Sequence, residues 1–530
     1  MASTTAPPRQ GSILALLIVV AAVANLPLAV ANVALPSIGV AFGASQTELN
    51  LVAVCYSLGL AMSVLWLGAV GDRYGRKQLL LAGTLLSLPA CLAAAWAPTV
   101  EVLIGARLIG GLAAGMAYPT TLSLITALWS GAGRTRAIAL WSASGGAVAA
   151  LGPLAGGFLL ERYWWGSVFL LTVPLIVAIV PLAIVLLPSH VGEATEPVDN
   201  LGGVLSVVTI GATILAINFI VVPDSVGLSA VLFLVGVVAL AGFVWRERRA
   251  ANPLFDLQVA SRRVFWVAAC AGTIVFGALM GAMFVGQQYV QNVLGYSTVE
   301  AGLAIVPAAM VMVLLAPVSA RLVETRGSRL TLFAGYSLIL VGFLVMVLFW
   351  RPGSSYLPVG GAYVLVAAGV GLAGTPASRS LTSSVPVYRA GMASGAADLQ
   401  RDLGGAIMQS AMGALLTAGY LRAATGAIEG SPQAGEVSDS VRAQLTKSFA
   451  GAEGIAKQFP QYADQIVSSA RQAFVDGQTW AYLIGAASVA LGAALVWLYF
   501  PDAQEERELL ASYRETDIAA TEAHTAASEG

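Results

Sequence analysis

Asp72-Arg73-Tyr74-Gly75-Arg76-Lys77 stands in a short polar break between two apolar runs, and Glu324-Thr325-Arg326-Gly327-Ser328-Arg329 repeats its acid-x-x-Gly-x-basic spacing far downstream. Each copy follows a run long enough to cross a bilayer, the second run in one case and the tenth in the other. A motif returning at the same place in successive groups of helices predicts two parallel six-helix halves around a midplane site. The glycine suits a tight turn. The surrounding Arg and Lys mark the loop as cytoplasmic.

Outward from these two loops the chain is almost entirely apolar: 530 residues, 58% hydrophobic and 10% charged. Soluble domains carry about 25% charged residues, so this is an integral membrane protein. Fourteen spanning runs fall at about 13–35, 51–71, 78–97, 101–128, 137–160, 166–187, 201–222, 227–245, 264–290, 299–320, 330–350, 357–378, 391–420 and 479–500. The expected fold is all-α, two six-helix bundles plus an inserted helix pair. Residues 1–187 form the first half, 188–263 a linker with helices 7 and 8, and 264–500 the second half with an outer loop at 421–478. Residues 501–530 form an acidic cytoplasmic tail, read as frayed helix followed by disorder.

With both termini inside, the inner loops carry fifteen Lys and Arg, among them Arg73, Arg76, Lys77, Arg134, Arg326 and Arg389, against Arg162 and Arg351 in short outer loops. In the outer loop Val441, Leu445 and Phe449, then Ile466, Val467, Ala470 and Phe474, recur at helical spacing. They fit amphipathic helices capping the outer mouth, or a loosely ordered loop.

Several function classes drop out. A net charge of −1 gives no bulk attraction for nucleic acid. Cys55, Cys91 and Cys270 are scattered through apolar runs, with neither metal-ligand nor disulfide spacing. There is no HExxH, no GxSxG in a suitable setting and no GxxxxGK[ST], and His190 and His524 lie in polar inner segments. No soluble output domain accompanies the spans. The expectation is a non-enzyme, without cofactor or metal, driven by the proton gradient and acting as a monomer.

The candidate chemistry lies in Gly391–Gly405, GMASGAADLQRDLGG, at the start of the thirteenth run. Asp398, Arg401 and Asp402 stand at i, i+3 and i+4, on one helix face. By helical rise Asp398 lies roughly 10 Å and Asp402 roughly 16 Å into the run. Two carboxylates in low dielectric do not both ionise cheaply. If Arg401 holds one charged, the other can exchange a proton, and substrate would compete with it. A structural Asp–Arg–Asp cluster is the alternative.

Gly68-Ala69-Val70-Gly71-Asp72-Arg73-Tyr74-Gly75-Arg76-Lys77 resembles the G-x-L-A-D-R-x-G-R-K motif of the major facilitator superfamily. The resemblance implies a gating loop; a topogenic loop is the plainer reading. Arg107-Leu108-Ile109-Gly110-Gly111 resembles the family's R-x-x-Q-G, with Gly110 in place of glutamine. That implies a proton relay through Arg107, unless the side chain snorkels to the interface. Gly152-Pro153-Leu154-Ala155-Gly156-Gly157 resembles G-P-x-x-G-G, which implies an antiporter, unless it is ordinary small-residue packing.

Asn32-Val33-Ala34-Leu35-Pro36 resembles the N-V-A-L-P of the fourteen-helix drug:proton antiporters that include the quaternary-ammonium pumps. Those pumps carry an aspartate five residues earlier, where this chain has Pro27. The pattern implies proton-coupled export of amphipathic small molecules from the bacterial inner membrane. Pro27 keeps open a dedicated exporter of a lipid, envelope precursor or secreted metabolite. The substrate cavity is expected between the halves, lined by Asn25, Asn32, Tyr56, Trp141, Phe276, Phe284, Gln287 and Gln288.

Overall fold

The computed structural model describes residues 9–129, 131–188, 197–222, 225–386, 390–432, 434–435 and 437–529; His190 and Arg389 lie outside the described residues. All regular structure in these residues is helical. Six helices come first: α1 (Gln10–Phe42), α2 (Gln46–Tyr74), α3 (Arg76–Ala95), α4 (Val100–Leu128), α5 (Gly131–Arg162) and α6 (Ser167–Leu186). The inserted pair is α7 (Asn200–Phe219) and α8 (Val226–Glu247). Then follow α9 (Arg263–Asn292), α10 (Thr298–Arg326), α11 (Ser328–Phe349), α12 (Tyr356–Ser383) and α13 (Ala390–Glu429). Two short helices, α14 (Asp439–Lys447) and α15 (Phe449–Gln458), precede α16 (Ala463–Tyr499) and α17 (Ala503–Glu529).

Twelve helices among the described residues are long and apolar enough to cross a membrane. The expected count was fourteen; α5 and α13, at 32 and 40 residues, are long helices outside that twelve. Both contain charges within the run, Arg134 and Arg136 in one and Asp398, Arg401 and Asp402 in the other.

The repeat is legible in the backbone. Gly75 joins α2 to α3 as a single residue at φ 122°, and Gly327 joins α10 to α11 at φ 87°. Only glycine takes such angles without strain. A second repeated signal was not read from the sequence. Ser45 and Ser297 each close a capping box with Glu48 and Glu300, two residues after Gly43 and Gly295, both at positive φ. The shared pattern Gly-x-Ser-x-x-Glu starts α2 and α10 alike.

Packing follows the same repeat. In the first set α2 and α3 lie on α4, α1 on α5 and α3 on α6; in the second, α10 and α11 lie on α12, α9 on α13 and α11 on α16. The sets meet in an equivalent pair of contacts, α2 against α13 and α10 against α5. α7 packs against both α2 and α13, and its Asn218 Nδ2 donates to Ser410 Oγ of α13 at 2.7 Å. α8 packs on α7.

Two faces result. On the terminal face, Lys77 Nζ donates to the carbonyls of Ile184 and Leu187 at the end of α6, and Gly327 lies against Ala503. α17 is docked here as a helix rather than frayed. Glu506 is buried and accepts from the Ser328 and Ser380 hydroxyls at 2.8 and 3.0 Å, while Arg262 pairs with Asp517 and Arg263 with Glu505. Composition alone missed this, because these acids meet partners supplied by α9, α11 and α12.

The opposite face carries a cap. Residues 421–478 are not a loop between helices ending at 420 and starting at 479: α13 runs on to Glu429, α16 begins at Ala463, and α14 and α15 lie between. Ile466 to Phe474 therefore extend a long helix instead of forming a separate one. Ser448 Oγ and Lys447 Nζ bond the carbonyls of Ala44 and Gly43, tying the cap to the α1–α2 turn.

Candidate functional site

α13 places Asp398 and Asp402 on adjacent turns, 6% and 3% exposed. Arg401 grips Asp402 with two contacts, Nε to Oδ1 at 3.0 Å and Nη2 to Oδ2 at 3.2 Å. Its Nη1 donates across to the Tyr118 hydroxyl of α4 at 2.7 Å, with the guanidinium 4.6 Å from that ring. Tyr118 lies against Trp141 of α5, ring centroids 5.3 Å apart, and Trp141 Nε1 donates to Thr121 Oγ1 at 2.9 Å. One acid is thus neutralised and tied to the other helix set. The other differs: Asp398 Oδ2 is buried with no hydrogen-bond partner among the described residues. A buried carboxylate oxygen without a donor is costly while charged.

Arg107 does not snorkel. It is 2% exposed, its Nε and Nη1 donate to the carbonyls of Val52 and Pro27 at 3.0 and 2.9 Å, and its guanidinium lies 4.6 Å from the Tyr56 ring. Pro27, at the position where the resembling pumps carry an acid, here supplies a carbonyl. Arg107 Nη2 has no partner among the described residues.

The terminal-face loop opens onto a cavity of about 240 Å³ lined by Gly68, Asp72, Arg73, Arg76, Asp199 and Met392. It therefore touches α2, the inserted pair and the start of α13. Asp72 accepts from Arg76 Nε at 2.8 Å, one turn on.

Gly152, Pro153, Gly156 and Gly157 of α5 face α1 and α10. A Cβ on Gly157 would meet the Thr298 carbonyl at 2.3 Å, and one on Gly302 the Pro153 carbonyl at 2.8 Å. Thr298 Oγ1 donates to the Gly157 carbonyl at 2.9 Å. These glycines let α5 and α10 touch backbone to backbone near the capped face.

Several of the expected cavity residues are buried and hydrogen-bonded within or between helices. Phe284, Gln287 and Gln288 are fully buried. Gln288 Oε1 accepts from Gln46 of α2 at 2.9 Å, and Gln287 Nε2 donates to the Ala301 carbonyl at 3.1 Å. Tyr56 donates to the Ala24 carbonyl at 2.7 Å and Asn25 to that of Ala21 at 2.9 Å. Asn32 is buried and Phe276 half-buried. Polar residues near the capped face thus close it in this conformation, joined by Gln291 Nε2 donating to the Val33 carbonyl at 3.0 Å. Missed from the sequence were Tyr118 and Gln46, each an ordinary residue until its partner on another helix is known. Among the described residues no cluster of His, Cys, Asp or Glu is placed to hold a metal.

The Major Facilitator Superfamily matches residues 17–408. The chain is 32% identical over 504 residues to the multidrug efflux pump LfrA of Mycolicibacterium smegmatis, covering 94% of this chain and 98% of that protein. It is 29% identical to the multidrug resistance protein Stp of Mycobacterium tuberculosis, covering 89% and 88%. It is 29% identical to the methyl viologen resistance protein SmvA of Salmonella typhimurium, covering 94% and 99%. Among solved structures, a bacterial homologue of the lysosomal transporter Spinster superposes with TM-score 0.62 at 14% identity, covering 93% and 98% of the two chains. A D-xylose–proton symporter does so with TM-score 0.58 at 13% identity, covering 94% and 99%. Repeat, packing and matched length agree: the chain belongs to the Major Facilitator Superfamily.

Proposed function

We propose that this protein is a proton-coupled antiporter that exports amphipathic or hydrophobic small molecules by alternating access, in the manner of a multidrug efflux pump. The carrying observation is the contrast between the two acids of α13: Asp402 locked by Arg401, Asp398 buried beside them with an unpartnered oxygen. Asp398 takes and gives the proton. Arg401 reports its charge to Tyr118, and through Tyr118 to the other half. When Asp398 is ionised, a substrate or a proton relieves the unpaired charge, and the two compete.

α5 and α13 complete fourteen spans, and the halves are residues 1–187 and 264–500 around the inserted pair at 188–263. The terminal face is cytoplasmic, as the positive-inside bias requires, and the membrane is the bacterial inner membrane. The Asp72 loop gates that side, while the Gly157–Gly302 contact and the Gln46–Gln288 bond seal the other. Opening the seal would expose Asn25, Asn32, Tyr56, Trp141, Phe276, Phe284, Gln287 and Gln288 to a central cavity. Arg107 serves the same relay from α4. The protein works as a monomer with no cofactor beyond the proton gradient.

A dedicated exporter of one endogenous product is favoured by one observation: the Pro27 carbonyl, rather than an acid, meets Arg107, so this site offers no carboxylate for a cationic drug. Uptake of dyes, antiseptics and lipid precursors into inverted vesicles under a pH gradient tests both. Proton release driven by a dye panel supports the multidrug reading. Release driven by none of the compounds, with Asp398→Asn indistinguishable from wild type, defeats the antiporter reading.

A further inference from the structure

The cap holds a chamber that the transport reading does not use. α13 has 40 residues, and at about 1.5 Å per residue it reaches roughly 60 Å. A bilayer hydrocarbon core is only about 30 Å thick, so the end of α13 stands beyond it. α16 rises beside it. The two helices touch where a Cβ on Gly419 would meet Gly477 Cα at 2.6 Å. Beyond that contact α14 and α15 lie over the projecting helix ends, and the four line a partly open cavity of about 330 Å³.

Its wall includes Tyr420 and Ile428 from α13, Leu445 from α14, Ile455 from α15 and Ile466 from α16, and among the described residues no Asp, Glu, Lys or Arg lines it. Small-molecule sites run from about 300 to 1,000 Å³ and are mainly apolar with a few polar groups. Gln461 and Gln465 supply such groups here. Bonds between the helices hold the cleft's shape. Tyr420 donates to the Leu445 carbonyl at 3.1 Å, pinning the roof to α13, and Ser448 pins it to the α1–α2 turn.

We propose that this chamber is an extracytoplasmic exit site that receives the neutral hydrocarbon or aromatic part of the exported compound before release. The described lining offers no ionic partner to a charged group. The position excludes an ordinary bilayer lipid, whose chains would leave hydrocarbon to reach it and gain nothing. An amphiphile delivered to the outer mouth does gain, because water is its alternative. The same unbroken α13 carries Asp398 and Asp402 at one end and the chamber wall at the other, so movement of that helix reshapes both. The proposal rests on the export reading above.

The test uses the full chain in lipid nanodiscs and a photoreactive diazirine derivative of a neutral naphthyl dye, with modified peptides mapped by mass spectrometry. Uptake of the parent dye is measured in inverted vesicles carrying the same variants. Labelling is expected on residues 420–470 and should fall with excess parent dye. Ala470→Phe, which fills the chamber, and Ala427→Trp, on its more exposed wall, should each cut labelling at least about tenfold, as pockets discriminate against one bulky group. Both should slow dye uptake. Dye uptake without labelling overturns the exit site alone. So does labelling displaced by phospholipid but not by dye, or a filled variant that transports at the wild-type rate. If the wild type moves no dye, the export reading fails, and labelling of the chamber then shows a binding site that is not an exit.

Discussion

Arg401 of α13 reaches Tyr118 of α4 at 2.7 Å, and this bond joins the acid pair of one helix set to the aromatic stack of the other. The same guanidinium holds Asp402. A change of charge beside Arg401 is therefore felt at the contact between the sets.

Asp398 and Asp402 should respond differently to the same substitution. Asp398→Asn removes the unpartnered oxygen and should abolish substrate-driven proton release with little loss of stability. Asp402→Asn leaves the half-buried Arg401 without its acid; breaking a fully buried pair costs about 3–5 kcal/mol, and the loss here should approach the lower end. Its melting temperature should drop clearly while that of Asp398→Asn stays near wild type. Proton release and thermal unfolding, measured on both, check this; equal behaviour sinks the distinction.

Tyr118→Phe keeps the ring and removes the hydroxyl that accepts from Arg401. A hydrogen bond to a charged group is worth about 1.5–3 kcal/mol. If that bond favours the conformation closed at the cap, its loss should raise the cap-open population roughly tenfold or more. Spin-label distances between the α1–α2 turn and α15 would read the shift. An unchanged distance distribution would show that the bond does not bias the halves.

Gly157→Val should trap the transporter open on the capped side. The new side chain must displace the Thr298 carbonyl, a backbone atom that cannot swing away. Labelling of a cysteine placed at Gln291 should rise, and export should stop. Retained export would mean that the α5–α10 contact is not remade in each cycle.

On the terminal face, Asp199 caps α7 and pairs with Arg246 at 2.8 Å. Burial pushes its carboxyl up, but hydrogen bonds from Arg246 and the Gly202 amide outweigh that and hold it below the usual range. Because the folded value is depressed, its stabilisation is present above the ordinary aspartate value and is lost as pH falls through the lower one. Asp199→Asn should therefore lower the melting temperature at neutral pH. The gap to wild type should close below about pH 4. A gap that persists in acid would point to capping geometry rather than charge.

Truncation after Asp502 should destabilise the second helix set and leave the first untouched. The partly exposed pairs Arg262–Asp517 and Arg263–Glu505 are each worth about 0–1 kcal/mol and should weaken in salt. Glu506, buried against Ser328 and Ser380, should carry the larger, salt-insensitive share. Hydrogen exchange over α11 and α12 reads the loss directly, and Glu506→Ala alone should reproduce most of it.

Tyr118 shows why the site was only half legible. Asp398, Arg401 and Asp402 announce themselves, since three charges in an apolar run have few structural excuses. A tyrosine in an apolar helix announces nothing, because its role depends on what crosses it. Gln46, whose partner Gln288 lies 242 residues away, is the same case. The cap residues Val441 and Leu445 showed their helical spacing, yet that spacing does not tell whether they pack shut or enclose a chamber.

What the sequence determined by itself was local and periodic: apolar runs of bilayer length, the loop glycines at Gly75 and Gly327, and the Arg and Lys gathered in the breaks between runs. These follow from backbone hydrogen bonding and charge solvation, which each segment satisfies alone. Which acid would be locked and which left unpaired, where the acidic tail would dock, and that α13 and α16 would part above Gly419 and Gly477 were decided only in three dimensions. The reason is that burial and pairing belong to contacts between distant segments, and a single chain position carries no record of its neighbour across the bundle.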